Sequence, residues 1–132
     1  MKKMFKNSGN LTCIFTDEGV SLYGKKNEAY YPYGCMKGIF MWFFGTMEIR
    51  LRDGEATFFT ERADRPAMRK AIKDARARIR TAEPEEAKIY LKCSKVPDTL
   101  PKEEQLKQYL SLVSTGTISK GYYDLKKRLL KD

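Results

Sequence analysis

The chain contains no histidine. That absence removes the commonest general base, every Ser-His or Cys-His nucleophile pair, and most transition-metal sites. Cysteine is scarce as well. Cys13, Cys35 and Cys93 are odd in number, far apart and without a Cys-x-x-Cys, so neither a disulfide framework nor a zinc knuckle is indicated. Long apolar runs are also missing: the longest, Ile39 to Phe44, falls far short of the roughly 20 residues that span a bilayer. The basic start, Met1 to Lys6, would suit a signal peptide, but the apolar stretch from Leu11 to Phe15 stops at Thr16, Asp17 and Glu18. Gly34, Gly38 and Gly45 lack the Lys-Ser/Thr context of a phosphate loop. The acidic pairs Asp17-Glu18 and Glu85-Glu86 are neighbours on a turn and a linker, not two groups aimed at one proton. The expectation is a soluble, cytoplasmic, non-enzymatic protein with no cofactor, no metal and no small-molecule substrate.

What remains is 132 residues, enough for one compact domain of about 100 residues and an appendage. From Leu11 to Glu61 the signals are mostly for strands. Leu11 to Thr16 is followed by a turn at Asp17-Glu18-Gly19 and by alternating Val20 to Tyr23. Pro32 marks Ala29 to Tyr33 as an edge or bulged strand. Thr46 to Arg52 alternates with Met47, Ile49 and Leu51 inward, and Asp53-Gly54 turns it back into Ala56 to Thr60. Then the period changes. Asp64 is placed to cap a helix whose apolar face is Met68, Ala71, Ile72, Ala75 and Ile79. Strands followed by one amphipathic helix predict an α+β domain, the helix covering one side or end of the sheet.

This order resembles the bacterial pleckstrin-homology-like domains over about residues 11 to 80. The matching pieces are Ile14 to Leu22, Tyr31-Pro32-Tyr33, the hairpin Met47 to Gly54, and the closing helix. The resemblance implies an antiparallel sheet or partial barrel of seven strands. Five or six are legible, so a truncated barrel, completed by a second subunit, would follow.

Residues 83–100 read as a linker. Within them Lys88 to Lys92 alternates, as an added edge strand or a helix extension would. The last thirty residues are again patterned. Pro101, Glu103 and Glu104 suit a helix start; Leu106, Tyr109, Leu110 and Val113 form one stripe; Gly116 stops it. Ser119 caps a second helix with Tyr122, Leu125 and Leu129 on its apolar side and Lys126, Lys127, Arg128 and Lys131 in its last turns. This tail resembles the SHOCT family of short C-terminal domains. Leu106, Leu112, Gly116, Ile118, Ser119, Tyr123, Lys126, Lys127, Leu129 and Leu130 fall in register with that family's pattern. One departure is Lys120-Gly121, where the family has an acidic pair, and Gly121 costs about 1 kcal/mol of helix propensity relative to alanine. The resemblance implies a helical hairpin that promotes oligomerisation or docking. Thirty residues make no core of their own, so another surface covers the stripe, in cis or in trans.

The organisation expected is therefore a body over residues 1–82 with its closing helix at about 63–82, a linker over 83–100, and a hairpin over 101–132. Two constellations bear on function. The net charge of +9 is concentrated: residues 63–82 carry seven basic and two acidic side chains. At 3.6 residues per turn, Arg65, Arg69, Lys70, Lys73, Arg76 and Arg80 fill one sector beside the apolar face. That stripe is either a solvated helix face or an electrostatic site for the phosphates of nucleic acid or acidic membrane. The second constellation is Ile39 to Phe44, with Phe40 and the only tryptophan, Trp42. It reads as a strand buried on both faces, or as an exposed patch. As a patch it favours a subunit contact over membrane insertion, because only Lys37 flanks it. The leading expectation is a homo-oligomer or an assembly with another protein, joined through Leu106, Leu110, Val113, Tyr122, Leu125 and Leu129 or the apolar strand. The alternative is an anion-binding module that uses the basic stripe.

Overall fold

The computed structural model describes residues 2–52, 54–83 and 89–130. In chain order its elements are β1 (Lys3–Lys6), β2 (Thr12–Phe15), β3 (Gly19–Tyr23), β4 (Asn27–Pro32), β5 (Met36–Met41), β6 (Thr46–Leu51), β7 (Gly54–Phe59), α1 (Arg65–Thr81), β8 (Tyr90–Cys93), α2 (Lys102–Ser114) and α3 (Lys120–Leu130). The fold is α+β. Strands β1-β2-β3-β4-β8 make one antiparallel sheet and β5-β6-β7 a second, and both contribute to one core. Among the described residues no helix is long and apolar enough to cross a membrane.

Seven strands precede α1, where the sequence showed five or six. The unread one is β1. Only Phe5 of its four residues is buried, edge-on to Phe15 with ring centroids 5.9 Å apart, so it carries no alternation strong enough to notice. Lysines at both ends of this edge strand also discourage pairing with another chain. Met47, Ile49 and Leu51 of β6 do point into the core. The hairpin to β7 pairs Leu51 with Gly54; Asp53, expected in its turn, lies outside the described residues.

The aromatic run Ile39 to Phe44 is not one buried strand. β5 starts earlier, at Met36, and ends at Met41. A tight turn follows, in which the Trp42 N–H donates to the Thr46 carbonyl (2.8 Å) and the Gly45 N–H to the Trp42 carbonyl (3.1 Å). Gly45 adopts φ 86°, a conformation that only glycine takes without penalty. The Asp64 cap is also corrected. A 3-10 turn over Arg62–Asp64 leads into α1, so Asp64 is already helical and its side chain makes no cap bond. Pro66 occupies the first turn instead, and Met68, Ala71, Ile72 and Ala75 face the core.

The second half of the chain is woven into the first. β8 extends the large sheet by pairing Ala29 with Leu91 and Asn27 with Cys93, so the alternating stretch in the linker is an edge strand. Glu85 and Glu86 lie outside the described residues. α2 ends in a Schellman motif: the Thr117 N–H reaches the Leu112 carbonyl (2.9 Å), the Gly116 N–H reaches that of Val113 (3.0 Å), and Gly116 has φ 76°. Ser119 Oγ accepts from the Tyr122 N–H at 3.0 Å, capping α3. Gln105, unexpectedly buried, donates to the carbonyls of Asp98 (3.1 Å) and Leu100 (2.8 Å), fastening α2 to the loop before it.

α3 then lies on β7. A side chain at Gly121 would come within 2.9 Å of the Glu55 carbonyl, and one at Gly54 within 2.9 Å of the Gly121 carbonyl, so two glycines bring the backbones together. Leu125 enters the main core. Cys93, Val96, Tyr109 and Ile118 form a smaller cluster that joins α2 to β8. Residues 2–52, 54–82, 89–100 and 101–130 thus pack together, and the hairpin is covered in cis.

Candidate functional site

α1 runs along the outer edge of β5, and its arginines divide into two kinds. Arg65 and Arg76 are structural: Arg76 Nε donates to the Ile39 carbonyl at 2.8 Å, and Arg65 Nη2 to that of Phe44 at 3.0 Å. They satisfy carbonyls of an edge strand and its turn that no strand partner reaches. Arg69, Lys70, Lys73 and Arg80 are exposed. Two carboxylates near α1 are engaged: Asp74 pairs with Lys3 (3.5 Å) and Asp17 with Arg78 (3.1 Å). The predicted basic sector is therefore real as geometry, with its free part centred on Arg69 and Lys73.

Beside the first turns of α1 stands the β5–β6 turn. Phe43 is 94% exposed, Phe44 82% and Trp42 49%. Arg65 clamps this tip from beneath: its guanidinium occupies the space a side chain at Gly45 would need, and it lies 5.7 Å from the Phe59 ring centroid. Arg69 shares a shallow hollow with Met41, Trp42 and Phe43. On the sheet's outer face Phe40 meets Trp42 edge-on, ring centroids 5.9 Å apart, and Arg50 stacks over Phe40 at 4.8 Å. Trp42 Nε1 donates to Glu48 (3.1 Å), whose other oxygen is held by Arg50 (2.7 Å). The two sequence constellations, read separately, are thus one surface. Sequence reasoning singled out Phe40 and Trp42 within the run and missed Arg50; Gly45, which closes the turn after β5 ends at Met41, was the signal that Phe43 and Phe44 form its tip.

The tail residues fare differently. Leu125 is buried against the main core, with Tyr122 and Leu129 packed beside it, so their cover is in cis and they are not a free association surface. This corrects their assignment to oligomerisation. Lys126 Nζ reaches the Leu91 carbonyl at 2.6 Å, and burial holds its pKa below the usual lysine value. Burial likewise pushes the Tyr109 phenol up to about 12 and that of Tyr122 higher still. On α2 the buried residues are Gln105 and Tyr109, so Tyr109 alone of the predicted stripe is buried; Leu106 and Val113 are half-buried and Leu110 is 50% exposed.

A groove of about 400 Å³ opens between β3, β4 and β7. Its apolar lining includes Leu22, Ala29 and Phe58, and Thr117 to Tyr122 of the tail make one wall. Asn27 bridges it to the tail, donating to the Thr117 carbonyl at 3.1 Å. Among the described residues no cluster of three or more Cys, Asp or Glu side chains is placed to hold a metal ion. Comparison with protein-family models, with curated proteins and with solved structures gives no match to this chain.

Proposed function

We propose that this chain is a non-enzymatic attachment module. It has a pleckstrin-homology-like body, a SHOCT-like tail folded onto that body, and a cationic face on α1 that holds a phosphate-bearing polyanion. Seven strands ahead of one closing helix support the first part, since the resemblance calls for that count. The observation that carries the function is the exposed sector Arg69, Lys70, Lys73 and Arg80, with Asp74 engaged by Lys3 and Asp17 by Arg78. Such a face attracts phosphate without reading sequence or headgroup.

The test is binding of the full chain to anionic vesicles and to duplex DNA across a salt series. Three phosphates neutralised on DNA imply a loss of about 40-fold between ~50 and ~200 mM salt. The triple variant Arg69→Glu, Lys70→Glu, Lys73→Glu should abolish binding while leaving Arg65 and Arg76 in their structural roles. Binding indifferent to salt and to these charges would overturn the reading.

A second reading rests on Leu110, which is 50% exposed on α2 between half-buried Leu106 and Val113. A second copy of the chain would cover this stripe. Light scattering after size exclusion tests it: Leu110→Asp should lower the particle mass with the fold intact, and an unchanged mass would reject it.

A further inference from the structure

We propose that the β5–β6 tip is a wedge for an anionic lipid bilayer, with Trp42, Phe43 and Phe44 entering the interface and Arg69 and Lys73 meeting the headgroup phosphates. This rests on the anion-binding reading above and names its partner.

The tip is built to protrude. Its turn is closed by two backbone hydrogen bonds, fixed by the positive φ of Gly45, and braced by the Arg65 bond to the Phe44 carbonyl. Among the described residues Phe43 and Phe44 stay uncovered, although collapse of either onto the half-buried Phe40 and Met41 would remove apolar surface from water. Contiguous exposed aromatics of this kind mark a partner surface. Trp42 suits the membrane interface, where its ring is buried and its N–H edge stays polar, and Phe43 and Phe44 supply apolar rings for the acyl boundary.

Charge decides among occupants. Arg69 lines the same hollow as Trp42 and Phe43, and Lys73 lies one turn farther along α1. The carboxylate nearest the tryptophan, Glu48, is already neutralised by Arg50. A second copy docked tip to tip would bring these cations against each other, which is unfavourable. An anionic bilayer accepts the cations and the aromatics together. Duplex nucleic acid offers the cations its phosphates but keeps its bases stacked inside, so it would leave the tip uncovered.

Trp42 is the only tryptophan, so its emission reports the tip alone. The full chain is mixed with vesicles of phosphatidylglycerol and phosphatidylcholine, with or without bromine on the acyl chains. Insertion predicts a blue shift on binding and quenching by the brominated lipid. The double variant Phe43→Ser, Phe44→Ser should keep its circular dichroism and lose at least about tenfold in vesicle affinity. Salt-sensitive vesicle binding with unshifted, unquenched emission would overturn the wedge and leave the anion-binding reading standing. Binding to DNA but not to vesicles would overturn it in the same way. A blue shift that grows with protein concentration, without lipid, would overturn it in favour of a second copy. No binding to either polyanion would sink both proposals.

Discussion

The C-terminal helix pair and the β5–β6 turn make an instructive contrast, because each is apolar, each could have been covered or exposed, and the fold covers the first and exposes the second. The tail carries a periodic stripe and looked like an attachment device. In the structure Leu125 is 1% exposed and belongs to the core. The run Ile39 to Phe44 read as core or as an exposed subunit contact, and Phe43 is 94% exposed. An apolar pattern says that a surface needs cover and is silent on what supplies it. A period of 3.6 fits any flat apolar partner, including the chain's own open sandwich. Consecutive aromatics ending in glycine fit no single face, and the turn they form leaves some of them outside.

The sharpest way to break this contrast is Leu125→Ala, which deletes a buried side chain and should cost about 3 kcal/mol in urea unfolding. A tail that were an independent appendage would leave the unfolding of the body unchanged. Gly121→Ala comes next and turns on sign. In a free helix alanine gains about 1 kcal/mol over glycine. Docked on β7, its new methyl would lie 2.9 Å from the Glu55 carbonyl, so the variant should be less stable by about 1–2 kcal/mol. A more stable Gly121→Ala protein would mean that α3 does not sit on β7. Gly121, unhelpful to the helix by itself, thus serves the contact.

Alkali sharpens the comparison further. Burial raises the phenols of Tyr33 and Tyr109 to about 12, so the unfolded chain loses these protons first. Their contribution is fully present below the ordinary tyrosine pKa, near 10, and is lost as pH rises toward 12. Stability from urea midpoints should therefore decline across that window, and Tyr109→Phe should blunt the decline. The smallest effect belongs to the tip. Phe43→Ser should change stability by no more than about 0.5 kcal/mol, because the ring touches little of the folded chain.

Local signals carried a good part of this architecture. Alternation placed β2, β3, β6 and β7, Gly116 and Ser119 marked the helix boundaries they form, and the wheel of α1 gave both its buried face and its basic sector. What stayed hidden was non-local. β1 is a strand only because Phe15 waits for Phe5. β8 was ambiguous until β4 supplied its partner. Neither Gly54 nor Gly121 announces the other. The candidate surface was legible in halves: the cations were read on α1, the aromatics were read as core or subunit contact, and their adjacency came from a turn and a helix more than 20 residues apart.

The late arrival of β8 and α3 governs how this protein can be made. β4 obtains its outer neighbour from residues 90–93, and Glu28 meets Tyr122 across a separation of 94 positions. A nascent chain that has released only its first eighty residues from the ribosome has a bare strand edge and an unsealed core. Such long-range closure slows folding and leaves an interval in which neighbouring chains can pair. The edge of β4 and the core beneath α3 are therefore closed only once residues 90–130 are free to fold against the first eighty.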